Sequence, residues 1–166
     1  PDERLALGLS AYHLSDLLTS AYADARWDVL RDPEQGLRLH AQYFHQRSHG
    51  ENLLLDGEPF QTWNAGLKVE WLAEPFSLAG VVVQNGRGAA YRTPFGSWIG
   101  YTSRIITNFN RAGEHALGVD ATLDFSRLGV PGLALITSAT KGRNAFAVES
   151  GEALPRNREY DLTLDY

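Results

Sequence analysis

The sequence predicts an all-β protein, the wall of an antiparallel up-and-down transmembrane β-barrel with about eight strands. Three observations carry this prediction. Apolar residues recur at every second position through segments of about 9–14 residues, long enough for a tilted strand to cross a bilayer. Connections alternate between short turns and long loops, as they do when every second connection of a meander lies at the same end. Aromatic residues gather near both ends of the apolar faces: Trp27, Trp71, Phe76 and Phe125 at the short-turn ends, Tyr43 and Trp63 at the long-loop ends. A soluble sandwich has no need of two such girdles, whereas a lipid-facing wall places aromatics where it meets the headgroups.

The first two strands, about 4–14 and 17–30, meet at a tight turn at Ser15-Asp16 that breaks the alternation of connection lengths. The third, about 37–47, sets Leu37, Leu39, Ala41 and Tyr43 against Arg38, His40 and Gln42. It follows the short connection Asp32 to Gly36 and leads into a long one, 48–61. The fourth, about 62–72, sets Trp63, Ala65, Leu67, Val69 and Trp71 against Asn64, Gly66, Lys68 and Glu70. Ala73-Glu74-Pro75 then turns the chain into the fifth strand, about 76–85, and a very long connection spans 86–114. The sixth, about 115–125, sets Leu117, Val119, Ala121, Leu123 and Phe125 against Gly118, Asp120, Thr122 and Asp124. A turn at Leu128 to Gly132 leads to the seventh, about 133–141, and the connection 142–156 to the eighth, about 157–166. There Tyr160, Leu162, Leu164 and Tyr166 oppose Asp161, Thr163 and Asp165. Such alternation suits a sheet with one apolar and one wet face, because successive side chains point to opposite sides.

Composition narrows the functional classes. The chain has 166 residues, one domain's worth, with 43% hydrophobic and 21% charged residues. Fifteen basic against twenty acidic residues give a net charge of −5, with no basic stripe for nucleic acid. The absence of cysteine removes disulfides, thiolate zinc sites and thiol chemistry. The chain starts at Pro1 without Met or an apolar leader, so it is expected to be a mature form or a piece of something longer. Gly86-Arg87-Gly88 opens no helix and is an ordinary loop. His40, His45 and His49 invite a metal reading, but His40 and His45 fall on opposite faces of one strand and cannot bind one metal unless the strand bends. No G-x-S-x-G elbow marks a nucleophile. The expectation is therefore a protein without catalytic residues, cofactor or metal.

The wet face carries the functional candidates. Arg26 lies between Asp24 and Asp28 on one strand, Arg38 beside His40 and Gln42 on the next, and Lys68 beside Glu70 on the one after. The later strands are acidic there, with Asp120, Asp124, Glu159, Asp161 and Asp165. Opposite charges on opposite walls would set a transverse field across a water-filled lumen. Arg26, Arg38 and Lys68 are thus the candidate basic lining, and Asp120, Asp124 and Asp161 the acidic one.

The stretches Thr93 to Ser103 (TPFGSWIGYTS), Asn108 to Glu114 (NFNRAGE), Asp124 to Leu133 (DFSRLGVPGL) and Tyr160 to Tyr166 (YDLTLDY) resemble the OprD family of outer-membrane porins. The resemblance runs over essentially the whole chain. It implies a bacterial outer-membrane location and a monomeric channel of about eighteen strands for small nutrients such as amino acids or other carboxylates. It also implies lipid around the wall, a ladder of basic residues in the pore, and inward-folded loops. On that reading residues 1–166 form a single porin barrel segment, about strands nine to sixteen. The alternative is a self-contained eight-stranded barrel, structural or binding a small ligand, whose interior side chains would plug it. The connection from Gly86 to Glu114 far exceeds the usual length of about 4–6 residues and is too apolar to lie in water. With the family's inward loops in mind it is expected to narrow the pore through Arg92, Phe95, Trp98, Tyr101 and Arg111. Arg104 is the side chain expected nearest the solute.

Overall fold

A computed structural model of the chain describes residues 4–53, 57–94 and 100–166. Its strands are β1 (Leu5–Leu14), β2 (Leu18–Arg31), β3 (Gly36–Ser48), β4 (Gln61–Ala73), β5 (Phe76–Asn85), β6 (His115–Asp124), β7 (Ala134–Arg143) and β8 (Asn157–Asp165). They form one sheet in the order of the sequence, every neighbouring pair antiparallel. Among the described residues no ladder joins β8 back to β1. All eight strands lie where the apolar alternation puts them. One end differs in a way that matters locally: Phe125, expected to close the sixth strand, instead opens a 3-10 turn over Phe125–Leu128. The Asp124 carboxylate accepts the Ser126 N–H at 2.7 Å, an alternative to the next ladder bond, and Gly129 ends the turn at a φ of 88°.

Pairing registers show how the wall stands. On the outer face Trp27, Leu39, Val69, Gly80, Val119, Ala139 and Tyr160 are successive partners across β2 to β8. Strands lie about 4.8 Å apart, so at a tilt of about 40° this row climbs about 18 Å. Its lower end is an aromatic at the short-turn side, and its upper end is an aromatic at the long-loop side. Both are well exposed, Trp27 at 50% and Tyr160 at 76%. On β4 alone, Trp63 and Trp71 bracket Leu67 at equal distances, which spans about 20 Å along the barrel axis at that tilt. The two estimates agree with each other and with an apolar band about 25 Å tall.

The other face holds the buried residues. Val81, Val83 and Ala116 pack with Phe109 of the long connection, with Tyr101 against them. Phe44 packs with Tyr91 and Tyr22, and Leu18 with Phe60 and Ala89. The interior of this protein is therefore the seam between the sheet and the connections that fold onto it.

Candidate functional site

The described parts of the long connection, 86–94 and 100–114, lie on the inner face in two passes. The first runs beside β3 and β4. Gln46 brackets the Arg92 backbone, accepting its N–H at 2.9 Å and donating to its carbonyl at 2.8 Å, while Thr62 Oγ1 donates to the Ala89 carbonyl. Tyr91 Oη lies 2.7 Å from Ser20 Oγ. The second pass crosses the later strands. Arg104 meets Asp120 at 2.7 Å and donates from Nε to Thr140 Oγ1 at 2.6 Å. Glu159 accepts the Ile106 and Thr107 N–H groups, each at 2.7 Å. A chain of amides from Gln42 through Asn64 to Asn85 ends on the Phe109 and Glu114 carbonyls and ties the strands to the root of the loop.

Three inner-face glycines make room for this. A Cβ on Gly66 would stand 3.1 Å from the Tyr101 ring, one on Gly118 2.8 Å from Arg104, and one on Gly142 2.8 Å from both Phe109 and the Glu114 carboxyl carbon. Glycine inside a strand weakens it, and close approach of other groups is the usual compensation. Here the long connection supplies an approaching group at all three, joined by Gln42 at Gly66 and by Thr140 at Gly118.

Below the loop the early wall is strongly ion-paired. Asp28, almost fully buried, faces Arg38 at 3.1 Å, Arg31 at 3.8 Å and Arg26 at 4.0 Å. Glu70 gathers Arg38 at 3.5 Å, His40 at 3.4 Å and Lys68 at 3.6 Å. The late wall carries Asp120, Asp161 (accepting from Ser138 Oγ at 2.6 Å), Glu159 and Asp165, with Arg104 as the cation the loop brings to them. A groove of about 440 Å³ opens between Arg104, Asp120, Ser138 and Asp161.

An up-and-down wall with lipid-type outer chemistry, polar inner chemistry and an inward-folded loop is the arrangement of a porin. The description "outer membrane porin, OprD family" matches residues 1–166. The chain belongs to the OprD family. That family resides in the outer membrane of Gram-negative bacteria. No individual curated protein matches the sequence. Among solved structures, OpdK of Pseudomonas aeruginosa, crystallised with vanillate, superposes with a TM-score of 0.87 at 21% identity, over 99% of this chain and 43% of that one. OccAB1 of Acinetobacter baumannii gives 0.87 at 17% identity, over 98% of this chain and 44% of that one. OprD of Pseudomonas aeruginosa gives 0.84 at 15%, with coverage of 98% and 44%. The chain thus spans less than half the length of these OprD-family channels.

Within the OprD-family wall, the residues singled out from sequence occupy different places. Arg26, Arg38 and Lys68 share the inner face, as their parity requires, and lie in the Asp28–Glu70 cluster. Tyr101 lies over Gly66 with Lys68 Nζ 5.8 Å from its ring centre, and Arg92 extends over the Phe60 ring at 5.5 Å. Arg111 is at the loop's root, bound to Glu114 at 2.6 Å and to the Pro155 carbonyl at 2.9 Å. Asp124 caps the 3-10 turn at the short-turn end. Phe95 and Trp98 lie outside the described residues. Ile105 and Ile106, expected to bury themselves with the rest of the loop, are 72% and 86% exposed. The Ile106 and Thr107 N–H groups are turned toward Glu159, and the two isoleucine side chains remain accessible beside the groove. Sequence reasoning counted Glu159 among the wall's acids and missed it as the loop's anchor. It also passed over the inner-face glycines, although interior strand glycines on the wet parity are a readable signal.

Burial pushes the hydroxyls of Tyr91 and Tyr101 up to about 12. Because the folded value is raised, their contribution to loop docking is complete below about pH 10 and is lost as pH rises through about 12. A phenolate absorbance titration of the folded protein is expected to leave Tyr91 and Tyr101 un-ionised after the exposed tyrosines have titrated. If all seven tyrosines ionise together near pH 10, the loop is not docked as described.

Proposed function

We propose that this chain is part of the wall, with its narrowing loop, of an outer-membrane channel through which small carboxylates diffuse. The observation that carries the reading is the long connection seated on the inner face over Gly66, Gly118 and Gly142, where it covers part of any lumen this wall encloses. Eight strands are about 44% of an eighteen-stranded wall, close to the 43% of OpdK that the chain spans. This supports residues 1–166 as one porin segment within a longer barrel, which on this reading is monomeric and surrounded by lipid. A self-contained eight-stranded barrel needs a β8–β1 ladder, which the described strands lack. Selectivity would come from width and lining charge, without a chemical step and without catalytic residues or cofactor.

Carboxylates are favoured because the early inner wall holds more bases than acids. Arg26, Arg31, Arg38 and Lys68 face Asp24, Asp28 and Glu70, while the later strands are acidic. A solute with a carboxylate on one end and a donor on the other would align across that field. Vanillate, bound in the OpdK structure, is such a carboxylate. Arg26, Arg38, Lys68 and Arg104 form the basic lining and Asp120, Asp124 and Asp161 the acidic one, with Arg92, Tyr101 and Arg111 in the narrowing loop together with Phe95 and Trp98.

The test is bilayer electrophysiology of the full-length protein. Arg26→Gln, Arg38→Gln and Lys68→Gln combined are expected to lower carboxylate permeation several-fold and to flatten its dependence on salt. Heat-modifiable migration in gels serves as the check on folding. Unchanged ion selectivity in the folded triple variant removes these residues from the solute path.

A further inference from the structure

We infer that the outer face of β3 to β8 seats a phosphate-bearing lipid of the outer leaflet, its phosphate held by Lys141, Arg143 and Arg158. The inference rests on the reading of that face as the lipid-facing one. Charge along the strands is sorted without exception among the described residues. Every acid within a strand has inner parity, from Asp24 on β2 to Asp165 on β8. The cations of outer parity are Arg47, Lys141, Arg143 and Arg158, and all lie at the long-loop ends of their strands. Lys141 and Arg158 are direct cross-strand partners, and Arg143 is the next outer position on β7, opposite His115. Like charges directly opposite one another destabilise a sheet. No described residue forms an ion pair with any of the three. An anion from outside the chain would relieve that repulsion.

Height and shape identify the anion. Leu67, Val82, Leu117 and Lys141 are successive partners. That row starts midway between Trp63 and Trp71 and climbs about 9 Å in three strand steps. Lys141 therefore stands at the upper edge of the apolar band, at the level of lipid phosphates, with Arg143 and Arg158 above it. Beneath them runs a groove of about 730 Å³. Its floor is Ala41, Ala65, Leu67, Val82 and Leu117, and its upper rim is His115, Lys141 and Arg143. An apolar trough rising from the bilayer centre to a cluster of cations matches an acyl chain below a phosphate. The short-turn end offers aromatics instead, Trp27, Trp71 and Phe76, so the seat belongs to the outer leaflet.

The experiment is native mass spectrometry of the detergent-solubilised full-length protein, titrated with diphosphorylated lipid A, with its dephosphorylated form, and with inorganic phosphate. Diphosphorylated lipid A is expected to be retained. Each surface cation contributes roughly a fivefold gain toward an anionic lipid, so the triple variant Lys141→Gln, Arg143→Gln, Arg158→Gln should bind it on the order of 100-fold more weakly. The dephosphorylated lipid should bind the wild type no better than the triple variant binds lipid A. Ala65→Trp fills the groove without touching charge and should also weaken retention. Equal retention of lipid A by wild type and triple variant overturns the site. Displacement of the lipid by millimolar inorganic phosphate, or indifference to Ala65→Trp, overturns the lipid as its occupant. Single-channel conductance, read in parallel, separates the two readings. The triple variant should conduct as the wild type does, whereas a wild type that retains lipid A without conducting sinks the pore and keeps the seat.

Discussion

Removing residues 100–108 is expected to raise the conductance of the complete channel several-fold and to blunt its discrimination among solutes. This segment carries Tyr101 over Gly66 and Lys68, Arg104 onto Asp120 and Thr140, and the two backbone N–H groups held by Glu159. Ordering each residue costs about 1–2 kcal/mol of backbone entropy, so a stretch of this length stays in place only through such contacts. A subtler variant keeps the chain and removes its seat. In Gly118→Leu the new side chain would start 2.8 Å from Arg104 and 3.0 Å from Thr140 Oγ1, both already committed to each other. Gly118→Leu should therefore shift conductance in the same direction as the deletion, with larger open-channel noise. Val119→Leu, one residue along on the outer face, should leave conductance alone. Wild-type conductance and selectivity in both the deletion and Gly118→Leu would make the segment a surface lid with no part in the pore.

The strands were legible because each obeys one rule over its whole length. A strand buried against lipid on one side and wet on the other has to alternate, and Trp63 to Trp71 or Leu117 to Leu123 can be read in no other period. Inner and outer faces follow from the same parity, which is why Arg26, Arg38 and Lys68 share a face. The loop obeys no period. Its composition shows that it must be covered, and cannot show by what. Arg104 finds Asp120 and Thr140 across sixteen and thirty-six positions of sequence respectively, and only the barrel register brings those two side by side. Arg111 looked equivalent to Arg104 as a loop cation. Its near neighbour Glu114 claims it instead and holds it at the root, because a carboxylate three residues away is reached without closing a long loop. Ile105 and Ile106 show the limit of composition in the other direction: backbone bonds to Glu159 set the local direction of the chain, and two apolar side chains are left exposed.

Arginine on the outer face should be penalised by depth, and the registers rank the positions. Leu67 lies midway between Trp63 and Trp71 on β4, and Val119 belongs to the row joining Trp27 to Tyr160, near its centre. Arginine at either should cost about 2–4 kcal/mol of stability in a bilayer. Leu117 is a direct partner of Lys141 and sits higher, so Leu117→Arg should fall toward the 0–1 kcal/mol typical near the interface. Thr122, on the inner face of the same strand, can turn an arginine toward water, and Thr122→Arg should be tolerated as well as Leu117→Arg. Asn64 is a poor inner-face control despite its parity. It is fully buried between Gln42 and Asn85, so any substitution there breaks an amide chain whatever the surroundings of the sheet. Reversible denaturant unfolding of the full-length protein in vesicles provides the measurement. The ordering Leu67→Arg and Val119→Arg well above Leu117→Arg and Thr122→Arg would match a tilted wall with its outer face in lipid. Equal costs at Leu67, Leu117 and Thr122 would mean that depth plays no part, and the assignment of the outer face to lipid would fail with it.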